Sequence, residues 1–241
     1  MIKFENTEVM GWEAAIRGMR NPMNSWEKSD SGPVANCIRY DERGFVCTKK
    51  NRYCAGFECF CVGPNDIDLM NRLRNSGTDH RKFMRMITVY VDITAPLYWW
   101  KEFDTYKIGT VANSCSTMHK IAAKEFTLED FSHEHLFTEE NLRYDAEPDS
   151  LKLLNTIINA LNAYRLAYLE EGDKSIWWQM IQLLPSSYNQ RRTVMLNYEV
   201  LANIYKSRKN HKLDEWSVGF MNWIESLPYS ELITGEDKNN D

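Results

Sequence analysis

From Met86 to Thr94 the chain alternates β-branched and aromatic residues as a strand does, and Thr94-Ala95-Pro96 then turns it directly into a helix. Proline costs nothing in a first helical turn, because the amide hydrogen it lacks would have no intrahelical acceptor there. The helix carries Tyr98, Trp99, Trp100 and Phe103, whose rings need extensive apolar cover. A strand and an aromatic helix joined this tightly belong to one core. The chain then breaks into Lys107–Ser116, a run of small residues that reads as strand or loop.

Upstream, a short strand precedes a helix over residues 8–19, where Met10, Ala14 and Ile16 recur near helical spacing until Asn21-Pro22 stops it. Cys37–Tyr40 and Phe45–Thr48 flank Asp41-Glu42-Arg43-Gly44 and predict a hairpin. Phe57–Val62 predicts a further strand, after which Gly63-Pro64-Asn65-Asp66 caps a helix to about Arg74. Downstream, Thr127–Asp130 has the pattern of a capping box, and residues 138–150 read as an acidic loop. Leu151, Leu154, Ile158 and Leu161 mark a long amphipathic helix from Ser150 to about Glu171, and Lys174–Leu184 is helical again. Arg191–Asn197 reads as a strand, Asn197 caps a helix to about Arg208, and Leu213–Leu227 forms a last helix that Pro228 stops. Strands and helices mix without regular βαβ alternation, so the fold class is α+β. With 241 residues and no internal repeat, the chain reads as one domain, 1–241, with a frayed polar tail at 235–241.

Lys and Arg number 29 against 34 Asp and Glu, a net charge of −5, which lacks the broad positive field that nucleic acid or an anionic membrane would require. Neither partner is expected. No apolar run approaches the roughly 18 residues of a membrane span, and Met1-Ile2-Lys3-Phe4-Glu5 is unlike a signal peptide. These features predict a cytoplasmic protein. Cys37, Cys47, Cys54, Cys59 and Cys61 crowd a short segment without the paired spacing of a zinc knuckle, so they read as structural thiols and no metal is expected.

Two polar constellations could carry chemistry. Pro96–His119 delivers an aromatic helix into Asn113, Ser114 and Ser116, an arrangement that lets a planar ligand stack while short side chains meet its polar edge; its bland reading is a core helix and a tight turn. In the second, Arg191, Arg192 and Arg208 suit phosphate or carboxylate, and Asn197 and Asn203 suit a heterocycle or ribose edge. Cys115 with His119 suggests a thiol and its base, and His133-Glu134-His135 a partial metal site, but neither has a third partner in the local sequence. Trp177, Trp178, Trp216 and Trp223 read as packing anchors or interface residues.

The order of strand, Ala-Pro, aromatic helix and Ser- and Asn-containing loop resembles the signature region of the flavin-dependent thymidylate synthases. Leu184-Pro185 before a strand, then Asn197, Asn203 and Arg208, stand where that family has the same residues, and Gly63 and Gly77-Thr78-Asp79-His80 fit its earlier segment. The likeness covers about residues 60–216. It implies a central, mainly antiparallel sheet with flanking helices and a homotetramer whose sites lie between subunits. It further implies a pyrimidine nucleotide such as dUMP held by Ser116 and Arg208 with Lys107 as the remnant cation, and FAD contacted by Asn197, Asn203 and His80; Arg191 could supply further positive charge to the nucleotide from a new position. Methylenetetrahydrofolate and NADPH would serve the family's one-carbon transfer. The departures are specific. The signature Arg-His-Arg is Thr105-Tyr106-Lys107, an Arg after the motif serine is Met118, a Gln before the signature is Glu102, and a Glu-His pair is Phe83-Met84. Two readings follow: a divergent synthase-like enzyme, or a non-catalytic nucleotide-binding or scaffold protein that has lost its flavin site.

Overall fold

A computed structural model of the chain describes residues 2–34, 46–47, 59–142 and 148–235. The first part runs β1 (Lys3–Met10), α1 (Trp12–Arg20), β2 (Gly32–Val34), β3 (Val46–Cys47), β4 (Cys59–Val62) and α2 (Pro64–Asn75). Next come β5 (Thr88–Pro96), α3 (Leu97–Phe103), β6 (Val111–Ser114), α4 (Thr117–Lys120), α5 (Ser150–Glu171) and α6 (Lys174–Leu183). The chain finishes with β7 (Asn189–Asn197), α7 (Tyr198–Arg208), α8 (Met221–Glu225) and α9 (Glu231–Thr234). The fold is α+β with an antiparallel sheet, as expected. A four-stranded sheet has the order β1-β5-β7-β6, and a small antiparallel sheet has the order β2-β4-β3 with Gly32 opposite Cys61 and Val46 opposite Val62. Apart from Val46 and Cys47, the expected Cys37–Thr48 hairpin lies outside the described residues, as do Cys54 and the 236–241 tail.

Several elements differ from the sequence expectation for local physical reasons. Glu8-Val9-Met10 ends β1 instead of opening the helix, because Gly11 takes φ 93° and breaks the chain there. A Cβ on Gly11 would lie 2.1 Å from the Met86 carbonyl oxygen, so glycine is required by both conformation and space. Gly63 has no side chain to cap α2; the Asp30 carboxylate accepts from Asn65 N at 2.9 Å and Asp66 N at 3.2 Å instead. Met86, expected to open the strand, instead ends a 3-10 turn over Arg81–Met86 in which Phe83 and Met84 are buried, and β5 begins at Thr88. The last helix expected over Leu213–Leu227 opens as a π-helical run over Glu215–Phe220, a widened turn that lets Trp216 and Phe220 lie edge-on with ring centres 5.1 Å apart. Pro228 ends what precedes it, but its carbonyl accepts from Tyr198 Oη and the chain resumes as α9.

The residues divide into two compact units. One comprises Met1–Lys3, Ile93–Thr105 and Asn113–Arg192. Its core gathers Phe126, Phe131, Leu154, Ile158, Leu161 and Met180 beneath α5 and α6, while Trp99, Trp100 and Phe103 of α3 pack with ring centres 4.9 to 5.3 Å apart. The other comprises Phe4–Asp92, Tyr106–Ala112 and Thr193–Asp241. There Trp12 meets Tyr198 and Tyr229 edge-on, Phe4 stacks on Trp223 at 4.9 Å, and the Trp223 indole donates to Thr7 Oγ1 at 3.0 Å.

Within the second unit one buried ion pair joins three segments. Arg20 Nε donates to Asp66 Oδ1 at 2.7 Å, and Asp66 Oδ2 accepts from Ser29 Oγ at 2.7 Å and Ser31 Oγ at 2.6 Å. Burial pushes this carboxyl up, but the bonds from Ser31, Ser29 and Arg20 together with the Arg20 charge outweigh it and hold Asp66 below its ordinary range. Beside the pair, Arg20, Ser25, Ser29, Asp30, Asp68 and Arg72 help line an open cleft of about 590 Å³. Among the described residues no helix is long and apolar enough to cross a membrane, and no three His, Cys, Asp or Glu side chains are grouped to hold a metal.

Candidate functional site

The candidate polar residues of the second unit lie along α7. Strand β7 ends at Asn197, whose extended backbone and side-chain oxygen, accepting from Val200 N at 3.0 Å, start the helix. Against this start lies Gly109 at φ 76°, where a Cβ would come within 2.9 Å of Val200 and 3.2 Å of the Asn197 amide nitrogen. At the far end of α7, Arg208 Nε donates to Tyr106 Oη at 2.9 Å. The Tyr106–Thr110 segment is therefore tied to both ends of the helix, and Lys107 and Ile108 between the ties are exposed.

Arg81 fixes the middle of the same helix. Its Nε lies 2.9 Å from Glu199 Oε2, and it donates from Nη2 to Asn203 Oδ1 at 3.3 Å. Glu199 and Asn203 are one turn apart, so a single guanidinium spans both. Arginine has donors only, which settles the orientation of the Asn203 amide: its oxygen faces Arg81 and its NH2 faces away. The Asn197 oxygen is likewise taken by the helix cap. Both amides thus offer donors, an arrangement that meets carbonyl oxygens or unprotonated ring nitrogens. His80 stands exposed at the start of the 3-10 turn, its backbone N–H donating to Gly77 O at 3.1 Å.

Ser116 and Arg191 belong to the first unit. Ser116 Oγ accepts from His119 N at 3.1 Å and so caps α4, while Cys115 N donates to Arg191 O at 3.0 Å. Gln190 Nε2 donates to Cys115 O and Thr117 Oγ1, both at 3.0 Å, which binds the loop to β7. Arg192 is committed to structure: it donates to Asp104 at 2.7 Å and to Gln190 at 3.0 Å, and lies 4.2 Å over the Trp100 ring. Among the described residues no hydrogen bond joins Cys115 to His119. Arg81 stands among the cations that could replace the lost signature charges, but its partners, and the roles of Glu199 and Tyr106, escaped the sequence reading because they lie far along the chain; Tyr106 carried a signal only as the altered centre of the signature.

Sequence comparison matches the chain to no family model and to no curated protein. Solved structures do match. Thymidylate synthase X (ThyX) from Helicobacter pylori, with FAD and dUMP, superposes with TM-score 0.61 at 17% identity, covering 100% of this chain and 99% of that one. The chain has the fold of the flavin-dependent thymidylate synthases. A second structure of the Helicobacter pylori ThyX, complexed with FAD and dUMP, gives TM-score 0.61 and 17% identity over 98% of each chain. The UMP/dUMP methylase PolB from Streptomyces cacaoi, bound with 5-Br UMP, gives 0.54 and 12% over 98% of this chain and 93% of its own. The ThyX fold thus extends well beyond residues 60–216, into β1, α1 and the C-terminal helices, where no sequence likeness was visible.

Proposed function

We propose that this protein binds a pyrimidine nucleotide of the dUMP type on the ThyX fold, with Arg208 as its principal anchor. The observation that carries this reading is the set of polar side chains along α7, where Arg208 and the two donor-presenting amides Asn197 and Asn203 are each held in place by the chain's own contacts. Donors on a rigid helix suit the carbonyl oxygens of a uracil ring and the oxygens of a phosphate. Lys107, exposed beside Tyr106, adds positive charge in the same unit.

The donor-presenting amides also suit the heterocycle edge of FAD, which is rich in acceptors, with Asn197, Asn203 and His80 as its proposed contacts. When bound, FAD would carry the electrons, drawn from NADPH, that turn the one-carbon unit of methylenetetrahydrofolate into a methyl group on the base. This chain's residues would bind, orient and exclude water. A second reading, a nucleotide-binding protein without flavin, is favoured by Tyr106 bonded to Arg208 where the signature has an imidazole, and by Met118 where it has an arginine. A homotetramer is proposed with either reading: Leu153, Leu166 and Leu169 on α5 are 57%, 62% and 57% exposed and Trp178 on α6 is 42% exposed, which is apolar surface suited to a second copy. A cytoplasmic setting fits both.

Titrating FAD with and without saturating dUMP, with visible absorbance and melting temperature read together, separates the readings. The synthase-like enzyme perturbs the flavin spectrum and forms dTMP when all substrates are supplied. The flavin-free module is stabilised by dUMP, by about 2.7 kcal/mol at a hundredfold excess over Kd, and leaves the flavin spectrum unchanged. Stabilisation by neither ligand contradicts both.

A further inference from the structure

Arg208 is packed among aromatic rings. Its guanidinium carbon lies 5.1 Å from the centre of the Trp216 ring and 5.6 Å from that of Tyr106, and Tyr106 itself meets Trp216 edge-on at 6.2 Å. Because Arg208 can only donate, Tyr106 Oη is the acceptor in the 2.9 Å bond between them, and the phenolic proton must point elsewhere. Among the described residues nothing accepts it. The neighbouring positive charge polarises the hydroxyl and makes it a stronger donor than an isolated phenol. Its position is fixed as well: Thr110 Oγ1 donates to the Tyr106 carbonyl, and Gly109 is pressed against Val200 and Asn197.

We propose that Tyr106 is a ligand-contacting residue, whose hydroxyl donates to an oxygen of the nucleotide held by Arg208. This rests on the nucleotide reading above. The acceptor belongs either to the phosphate or to a carbonyl of the base, and in both cases a neutral donor replaces the imidazole of the signature. The pair then recognises an oxygen through one charged and one uncharged donor, with the aromatic rings setting the plane in which the arginine presents its N–H groups.

Calorimetric titration of dUMP and deoxyuridine into wild type, Tyr106→Phe, Arg208→Lys and the double variant tests this. Phenylalanine keeps the ring against Trp216, and melting temperatures confirm that each variant is folded. Tyr106→Phe is expected to weaken dUMP about tenfold, the loss of one hydrogen bond, and to weaken it further in the Arg208→Lys background too. A loss confined to dUMP places the acceptor on the phosphate, whereas a loss with both ligands places it on the base. Wild-type affinity in Tyr106→Phe overturns the proposal, and so does a loss that vanishes in the Arg208→Lys background, since the tyrosine would then act only by positioning Arg208. Wild type that binds neither ligand overturns the nucleotide reading, and this contact with it.

Discussion

Replacing Arg20 with methionine is expected to destabilise the fold by about 3–5 kcal/mol, because it leaves the Asp66 carboxylate buried without its counter-charge. Both side chains are almost wholly enclosed, at 5% and 0% exposure. For a chain of this size that loss corresponds to a fall in melting temperature of roughly 6–20 °C. Arg20→Met with Asp66→Asn should recover part of it, since the remaining amide is neutral and still accepts from Ser29 and Ser31. A recovery of nothing would show that Arg20 acts through packing alone. The pair also sets a pH dependence. The folded state holds the Asp66 carboxyl below its unfolded value, so its contribution is fully present above the unfolded pKa of about 3.9 and is lost as pH falls through the folded one. Melting curves through the acid range check this, and Asp66→Asn should flatten that part of the profile.

Arg208→Ala should weaken dUMP binding by about a hundredfold, the order expected when an arginine making charge-assisted bonds is removed from a site. Stability should change little, because the side chain is only half-buried and α7 is anchored by the buried Tyr198, Leu201 and Ile204. Arg208→Lys should lose most of the affinity as well, since an ammonium has neither the planar face that packs against Trp216 nor the fork that grips two oxygens. Calorimetry on folded variants decides it. Unchanged affinity in Arg208→Ala would remove Arg208 from the site.

The elements that were legible from sequence are those governed by local rules. Ser150–Glu171 and Tyr198–Arg208 emerge with the expected bounds because Asp149 and Asn197 cap them and apolar residues recur at helical spacing. The strand running into the Pro96 helix is likewise local. What escaped was decided elsewhere in the chain. Gly11, whose positive φ delays the first helix to Trp12, sits where the Met86 carbonyl leaves no room for a side chain, α2 is capped by Asp30 from 35 residues away, and the π-helical run at Glu215 answers to packing between rings. The same holds at the site. Asn197, Asn203 and Arg208 could be named from their spacing, but their orientation could not, because it depends on Arg81, 122 positions from Asn203, and on Tyr106, 102 positions from Arg208. Residue type marked the candidates, and long-range contacts decided which atoms they present.

Amide chemical-shift mapping with dUMP tests directly whether a nucleotide settles against α7. Saturating dUMP should shift the resonances of Tyr106–Thr110, Asn197, Asn203 and Arg208 together, along one binding curve. Resonances at those positions that stay unmoved at saturation, or shifts confined to a different surface, would contradict the account.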